Sequence, residues 1–163
     1  MQDGLIVLFL QHLLNGLLAG AYYLLIALGL SLIFSLGGIV NLAHGAFYAI
    51  GAYLALSIGN HLGFTSAAIL SPLVVGCLGV VIERVLFRRF YKSDPALSLL
   101  LTFGLAMVAE QLLRMVFGAA PLSWSIPPEL RGQIFIGDFV YPRYRLLILS
   151  VAVLCVAGLW LLL

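Results

Sequence analysis

The sequence predicts an all-α, polytopic integral membrane protein with about five transmembrane helices, and three observations carry that prediction. Of its 163 residues, 64% are hydrophobic and only 9% are charged, against roughly 45–50% and 25% in a soluble domain. From Gly4 to Ile82 there is no Asp, Glu, Lys or Arg, and since about 20 apolar residues cross the hydrocarbon of a bilayer, this stretch alone holds three spans. The apolar segments are continuous instead of alternating at every second residue, so they read as helices and not as strands of an outer-membrane barrel. The mean hydropathy of +1.20 agrees.

The first apolar segment runs from Leu5 to about Leu36, longer than one upright crossing, so it tilts or begins as an interfacial piece around Gln11 and His12. Gly37-Gly38 interrupts it, because paired glycines weaken a helix by about 1 kcal/mol each relative to alanine. A second segment covers residues 39–60, followed by a turn at Asn60-His61-Leu62-Gly63. The third covers residues 64–87, with a kink expected where Pro72 removes a helical hydrogen bond. Asp94-Pro95 suits an N-cap and first helical position, opening a fourth span over residues 96–117. Residues 118–144 hold four of the six prolines and mixed charges and read as a structured outer loop, and a fifth span covers residues 145–163. The chain is thus expected to be one transmembrane domain over residues 1–163.

The segment between the third and fourth spans carries Arg84, Arg88, Arg89 and Lys92. By the positive-inside rule it faces the cytoplasm, which puts the N-terminus and residues 118–144 outside; Arg114, Arg131, Arg143 and Arg145 on or near the other side match it in number though not in density, so the inverted topology is the alternative. The Met1-Gln2-Asp3-Gly4 start has no positively charged stretch of the kind that opens a cleaved signal, so it is expected to stay on the mature protein. The last span ends at Leu161-Leu162-Leu163 with no charged or aromatic flank, so the chain is expected to be incomplete and unable to transport by itself. The net charge of +2 sits beside membrane segments and forms no nucleic-acid-binding patch. Cys77 and Cys155 stand in the middles of different apolar segments and read as buried small hydrophobes.

No catalytic constellation stands out. His12, His44 and His61 lie on separate segments, and neither HExxH nor a Ser/His/Asp ordering occurs. No metal or cofactor is expected. The only lysine, Lys92, follows Tyr91, so a phosphate-binding glycine-lysine loop is impossible and any ATP must be bound by another chain. The first three spans contain no carboxylate, which counts against a proton- or sodium-coupled carrier. Glu110 precedes Arg114 by four residues, the favourable order for an ion pair on a helix surface; a polar lining of a transport path is the alternative. Gly16 and Gly20 make a small-xxx-small pair against which a second helix can pack closely.

The most informative segment is Gly37-Gly38-Ile39-Val40-Asn41-Leu42-Ala43-His44-Gly45-Ala46-Phe47, a glycine break followed by Asn, His and Gly in an otherwise apolar chain. Transporters place interrupted helices like this on their substrate path. Asn41 can cap the new helix, His44 follows one turn on, and the capped end offers its positive dipole to a carboxylate. The structural alternative is that Asn41 only caps and His44 only bonds a neighbouring helix.

This segment resembles the permease subunits of bacterial branched-chain amino acid ABC importers, with urea and amide permeases as close relatives. The resemblance includes Asn15-Gly16-Leu17-Leu18-Ala19-Gly20-Ala21-Tyr22-Tyr23, the stretch from Gly38 to Phe47, Ile82-Glu83-Arg84 and Thr102-Phe103-Gly104. It implies an ATP-driven uptake system for branched-chain amino acids, or alternatively urea or short amides. It also implies a second permease subunit, two ATPase subunits that hydrolyse the ATP, and a periplasmic solute-binding protein. On this reading Asn41, His44 and Gly45 line the solute pathway, and Gly16, Gly20, Gly37 and Gly38 serve packing and the helix break. An ion-coupled carrier, a channel and a non-transporting membrane anchor are the remaining alternatives.

Overall fold

The computed structural model describes residues 2–90, 93–136 and 139–162. Its helices are α1 (Gln2–Gly37), α2 (His44–Leu62), α3 (Phe64–Val85), α4 (Pro95–Phe117) and α5 (Arg143–Leu162), with short 3-10 turns at Phe87–Arg89 and Pro128–Leu130. Four of these helices, α1, α3, α4 and α5, are long and apolar enough to cross a membrane. The fifth, α2, has 19 residues, carries His44, Asn60 and His61 within them, and is not among those four.

Several boundaries differ from the sequence expectation for physical reasons. Helix α1 runs past Gln11 and His12 without interruption, because neither residue breaks a helix. Helix α2 begins at His44 instead of residue 39, and it continues through Asn60 and His61. The turn after it shrinks to Gly63, whose φ of 83° lies in the left-handed region that glycine enters at little cost. Helix α3 passes through Pro72 as one element. Asp94 caps α4, its Oδ1 accepting the Ala96 N–H at 2.9 Å, with Pro95 in the first turn. The segment between α4 and α5 contains an antiparallel hairpin, β1 (Gln133–Ile136) with β2 (Phe139–Pro142), in the register Gln133 to Pro142 and Ile134 to Tyr141. Alternation is too short there to be seen against the surrounding apolar segments. Tyr91, Lys92, Gly137 and Asp138 lie outside the described residues.

The described chain divides into two compact units, residues 1–28 with 125–163, and residues 29–124. In the first unit, Asn15 of α1 accepts hydrogen bonds from the Tyr141 hydroxyl at 3.3 Å and from the Arg145 guanidinium, and Gln11 donates to the Val140 carbonyl at 3.3 Å. Gln11 and Asn15 are one turn apart and therefore share a face, which docks the hairpin and the start of α5. Gly16 and Gly20 lie off that face. A Cβ at either would meet nothing within 4 Å, so among the described residues no helix of the same unit packs against this pair. Cys77 and Cys155 are exposed, not buried as their apolar surroundings implied. In lipid, apolar surroundings in the sequence do not distinguish the outside of a bundle from its inside.

In the second unit the buried positions are mostly small or polar: Ala43, Ala67, Ser71, Ser98 and Thr102. Large apolar side chains such as Leu73, Val81, Leu100 and Met107 face outward. This is the pattern of helices that pack through small residues and leave bulky ones to a nonpolar solvent.

Candidate functional site

The site grows from the break after α1. That helix ends at Gly37, and Gly38 takes a φ of 64°, a left-handed conformation that turns the chain out of the helix. The next residues are drawn inward, with Ile39 and Asn41 buried and Ala43 fully so. Asn41 does not occupy the N-cap of α2, which is Ala43. Its Oδ1 instead accepts the Ala43 N–H at 3.0 Å, while its carbonyl accepts the His44 N–H at 3.2 Å. Asn41 thus closes the side-chain turn that leads into the helix, in which a short amide imitates a backbone turn.

Thr102, on α4, holds this irregular segment in place. Its side chain is fully buried. The hydroxyl accepts the Leu42 N–H at 3.2 Å and is within donating reach of the Val40 carbonyl at 3.2 Å and of its own helix's Leu99 carbonyl at 3.0 Å. Backbone that leaves a helix at membrane depth must find partners within the protein, and Thr102 supplies them from across the unit. In the sequence Thr102 stands out only as part of the Thr102-Phe103-Gly104 stretch of the resemblance, and its anchoring role is not visible there because one Thr in an apolar helix resembles any other; the polar break needing partners is the only signal of it.

His44 sits at the first turn of α2, with its imidazole laid against α1 at Gly29. A Cβ added to Gly29 would lie 2.7 Å from both Cε1 and Nε2 of the ring. The glycine therefore makes the space in which the imidazole rests.

Asn41 and His44 line a cavity of about 590 Å³, together with Ile33, Ile39 and Phe47. Its opposite wall is α3, through Val75, Gly79, Glu83 and then Phe87 of the following 3-10 turn. These residues recur every fourth position and continue the row begun by buried Ala67 and Ser71, so one inward stripe of α3 forms the wall. The volume falls in the roughly 300–1,000 Å³ range of small-molecule sites, and the mixture of apolar surface with a few polar groups has the same character.

Gly45 does not join this group. At about 100° per residue it faces away from His44, and it lines a second cavity of about 410 Å³ with Ala46, Ala49 and Tyr53 of α2. Across that cavity stand Glu110 and Arg114 of α4, ion-paired at 2.7 Å with both side chains more than half exposed. Among the described residues, no group of three His, Cys, Asp or Glu side chains is placed to hold a metal ion.

Comparison with known proteins gives a consistent result. The family model described as branched-chain amino acid transport system, permease component, matches residues 12–163. The chain is 28% identical over 140 residues to the high-affinity branched-chain amino acid transport system permease protein BraD of Pseudomonas aeruginosa, covering 80% of this chain and 45% of that protein. It is also 28% identical over 144 residues to the permease protein LivH of the corresponding system of Salmonella typhimurium, with the same coverage. With LivH of Escherichia coli K12 the identity is 28% over 139 residues, covering 79% of this chain and 44% of that protein. The chain therefore spans about half the length of the curated relatives it matches. No solved structure matches it.

Proposed function

The chain belongs to the family of branched-chain amino acid transport system permease components, and from that premise we propose that it forms membrane-spanning wall of an ATP-driven importer of branched-chain amino acids, with the Asn41 and His44 cavity on the solute path. The observation that carries the reading is the glycine break. It brings an amide and an imidazole to the wall of an otherwise largely apolar cavity and has its freed backbone groups held by Thr102. A mere anchor has no use for such a break.

The reading includes partners: a second permease subunit, two ATPase subunits and a periplasmic solute-binding protein, in a bacterial inner membrane. It is supported by the lack of any lysine-bearing phosphate loop in the sequence. It also includes an orientation. With the arginines of residues 84–89 on the cytoplasmic side, the cavity, which is lined by the C-terminal ends of α1 and α3, lies toward the cytoplasm. Asn41 and His44 then meet the solute as it leaves the membrane.

Uptake of labelled leucine by vesicles carrying the assembled system, with and without ATP on the ATPase side, tests this reading. Saturable, ATP-dependent leucine uptake that falls tenfold or more in Asn41→Ala and His44→Ala, at matched membrane levels, is the expected result. ATP-dependent uptake of urea without leucine replaces the solute, and uptake of neither refutes the proposal.

A further inference from the structure

We infer that the cavity between α2 and α4 is a second site for the solute, in which Glu110 and Arg114 act together to recognise the zwitterionic head of an amino acid. This rests on the permease reading and adds to it a site of stated chemistry. An acid four residues before a base on a helix is commonly no more than a surface pair. This pair, however, stands on the wall of a cavity of about 410 Å³, across from Ala46 and Ala49 of α2, and charged groups on membrane helices that face a cavity mark solute paths.

The geometry of the pair leaves half of its capacity unused. Two Arg114 donors, Nε at 3.2 Å and Nη2 at 2.7 Å, converge on a single oxygen, Oε1 of Glu110. A carboxylate has a second oxygen, and a guanidinium has five N–H groups in a fixed fork. Among the described residues no hydrogen bond engages Oε2 of Glu110 or Nη1 of Arg114. An ammonium on the one and a carboxylate on the other would lie as near together as they do on the α-carbon of an amino acid, with both contacts charge-assisted. The bound head sets its charges antiparallel to those of the pair, so Glu110 and Arg114 keep each other while they hold it.

The rest of the cavity suits the rest of such a molecule. Ala46, Ala49, Ala106 and Leu113 give it apolar lining. Gly45 and Gly118 leave room beside the pair, since a Cβ at either would meet nothing within 4 Å. Both charged residues lie in the last two turns of α4, the outward end in the proposed orientation, and both are more than half exposed. An exposed pair is screened and holds its ligand weakly, as befits a station of entry.

The site requires both charges of the solute, whereas leucinol carries the ammonium alone, 4-methylpentanoate the carboxylate alone, and urea neither. The test uses the assembled transporter in lipid nanodiscs, where both faces are accessible, with Cys77→Ala and Cys155→Ala, and with Ala49→Cys as a thiol in the cavity wall. Ala106→Cys provides a second thiol on the opposite wall. Leucine should slow maleimide labelling with a half-protecting concentration about fivefold or more below those of leucinol and 4-methylpentanoate, and urea should give no protection. Glu110→Gln should abolish the preference for leucine over 4-methylpentanoate and keep the preference over leucinol, and Arg114→Gln should do the reverse. A role in helix packing alone would weaken all ligands together.

Equal protection by leucine and either singly charged analogue, with Glu110 and Arg114 intact, overturns the inference without reliance on any variant of the pair. So does parallel weakening of all ligands in both variants, or absence of leucine protection at both thiols. ATP-dependent leucine uptake by the unaltered system separates the two readings: uptake without the protection pattern leaves the permease reading standing while this one falls, and absence of uptake overturns the permease reading and this inference with it.

Discussion

Gly29→Ala is the sharpest test of how the break is packed, because two effects of opposite sign meet at one atom. In the middle of a helix, replacing glycine by alanine is worth about 0.5–1 kcal/mol in favour of the folded state. Here, however, the new Cβ would stand 2.7 Å from two atoms of the His44 ring, against an optimum carbon–carbon separation of about 3.5–4.0 Å. The ring must retreat by roughly 1 Å, and overpacking of this sort costs about 1–3 kcal/mol. The adjoining cavity gives the imidazole somewhere to go, which places the cost toward the lower end. The single variant should therefore be neutral or destabilised by up to about 1 kcal/mol. In a His44→Ala background the obstruction is gone, and the same substitution should stabilise by about 0.5–1 kcal/mol. The difference is a coupling energy of at least about 1 kcal/mol, readable from a double-mutant cycle. Unfolding of the detergent-solubilised protein, followed by circular dichroism, measures all four corners. If Gly29→Ala stabilises equally in both backgrounds, the imidazole does not rest on Gly29.

Four further outcomes follow from the same geometry. Thr102→Val keeps the volume but leaves the Leu42 N–H and Val40 carbonyl without their partner, so it should lower stability by about 1–3 kcal/mol while Thr102→Ser does not; equal stability of the two variants in thermal unfolding would refute the anchoring role. Gly59→Ala drives a Cβ into the Trp124 indole, which also packs on Phe64 at 5.9 Å, and should shift the Trp124 fluorescence emission in a Trp160→Phe background by unseating the indole; unchanged emission would show that the indole does not rest on Gly59. Asn41→Ala should reduce leucine uptake more than Glu110→Gln at matched membrane levels, because the Glu110 pair is exposed and such helix pairs are worth only about 0.3–0.5 kcal/mol; equal losses contradict that ranking. A cysteine at Ser123 should react with an impermeant reagent from the periplasmic face of intact cells, and labelling only after the inner face is opened would invert the proposed orientation.

The extent to which the fold was legible in the sequence depends on which solvent surrounds each element. Apolar runs bounded by Gly, Asp-Pro and arginines define helices well, since lipid leaves the backbone few alternatives, and α4 opens at Asp94-Pro95 as that pair implies. What escaped was the facing of each helix. Periodicity separates core from surface only when the surface is water, and here both sides of a helix are apolar. Cys77 consequently reads as interior yet is exposed, and Gly45 reads as a neighbour of His44 in function yet lines a different cavity. The pairing of Asn15 with Tyr141 and Arg145 joins residues about 130 positions apart, a distance over which local chemistry gives no signal.

The distribution of buried polarity supplies the remaining link between packing and function. The buried polar side chains among the described residues, Asn41, Ser71, Ser98 and Thr102, all belong to the second unit. Three of them have evident work: Asn41 closes the turn into α2, Thr102 binds the loose backbone beside it, and Ser98 donates to the Phe90 carbonyl at 3.4 Å. Each holds a place where the chain departs from regular helix. The fourth, Ser71, has no hydrogen-bond partner, yet it stands on the inward row of α3 two turns before Gly79, next to Val75 of the cavity wall. A continuous helix needs none of these groups, and lipid penalises every one left unpaired. The three paired groups are therefore explained by the irregular backbone they hold, and not by the stability of the helices themselves, whereas Ser71 holds no such backbone.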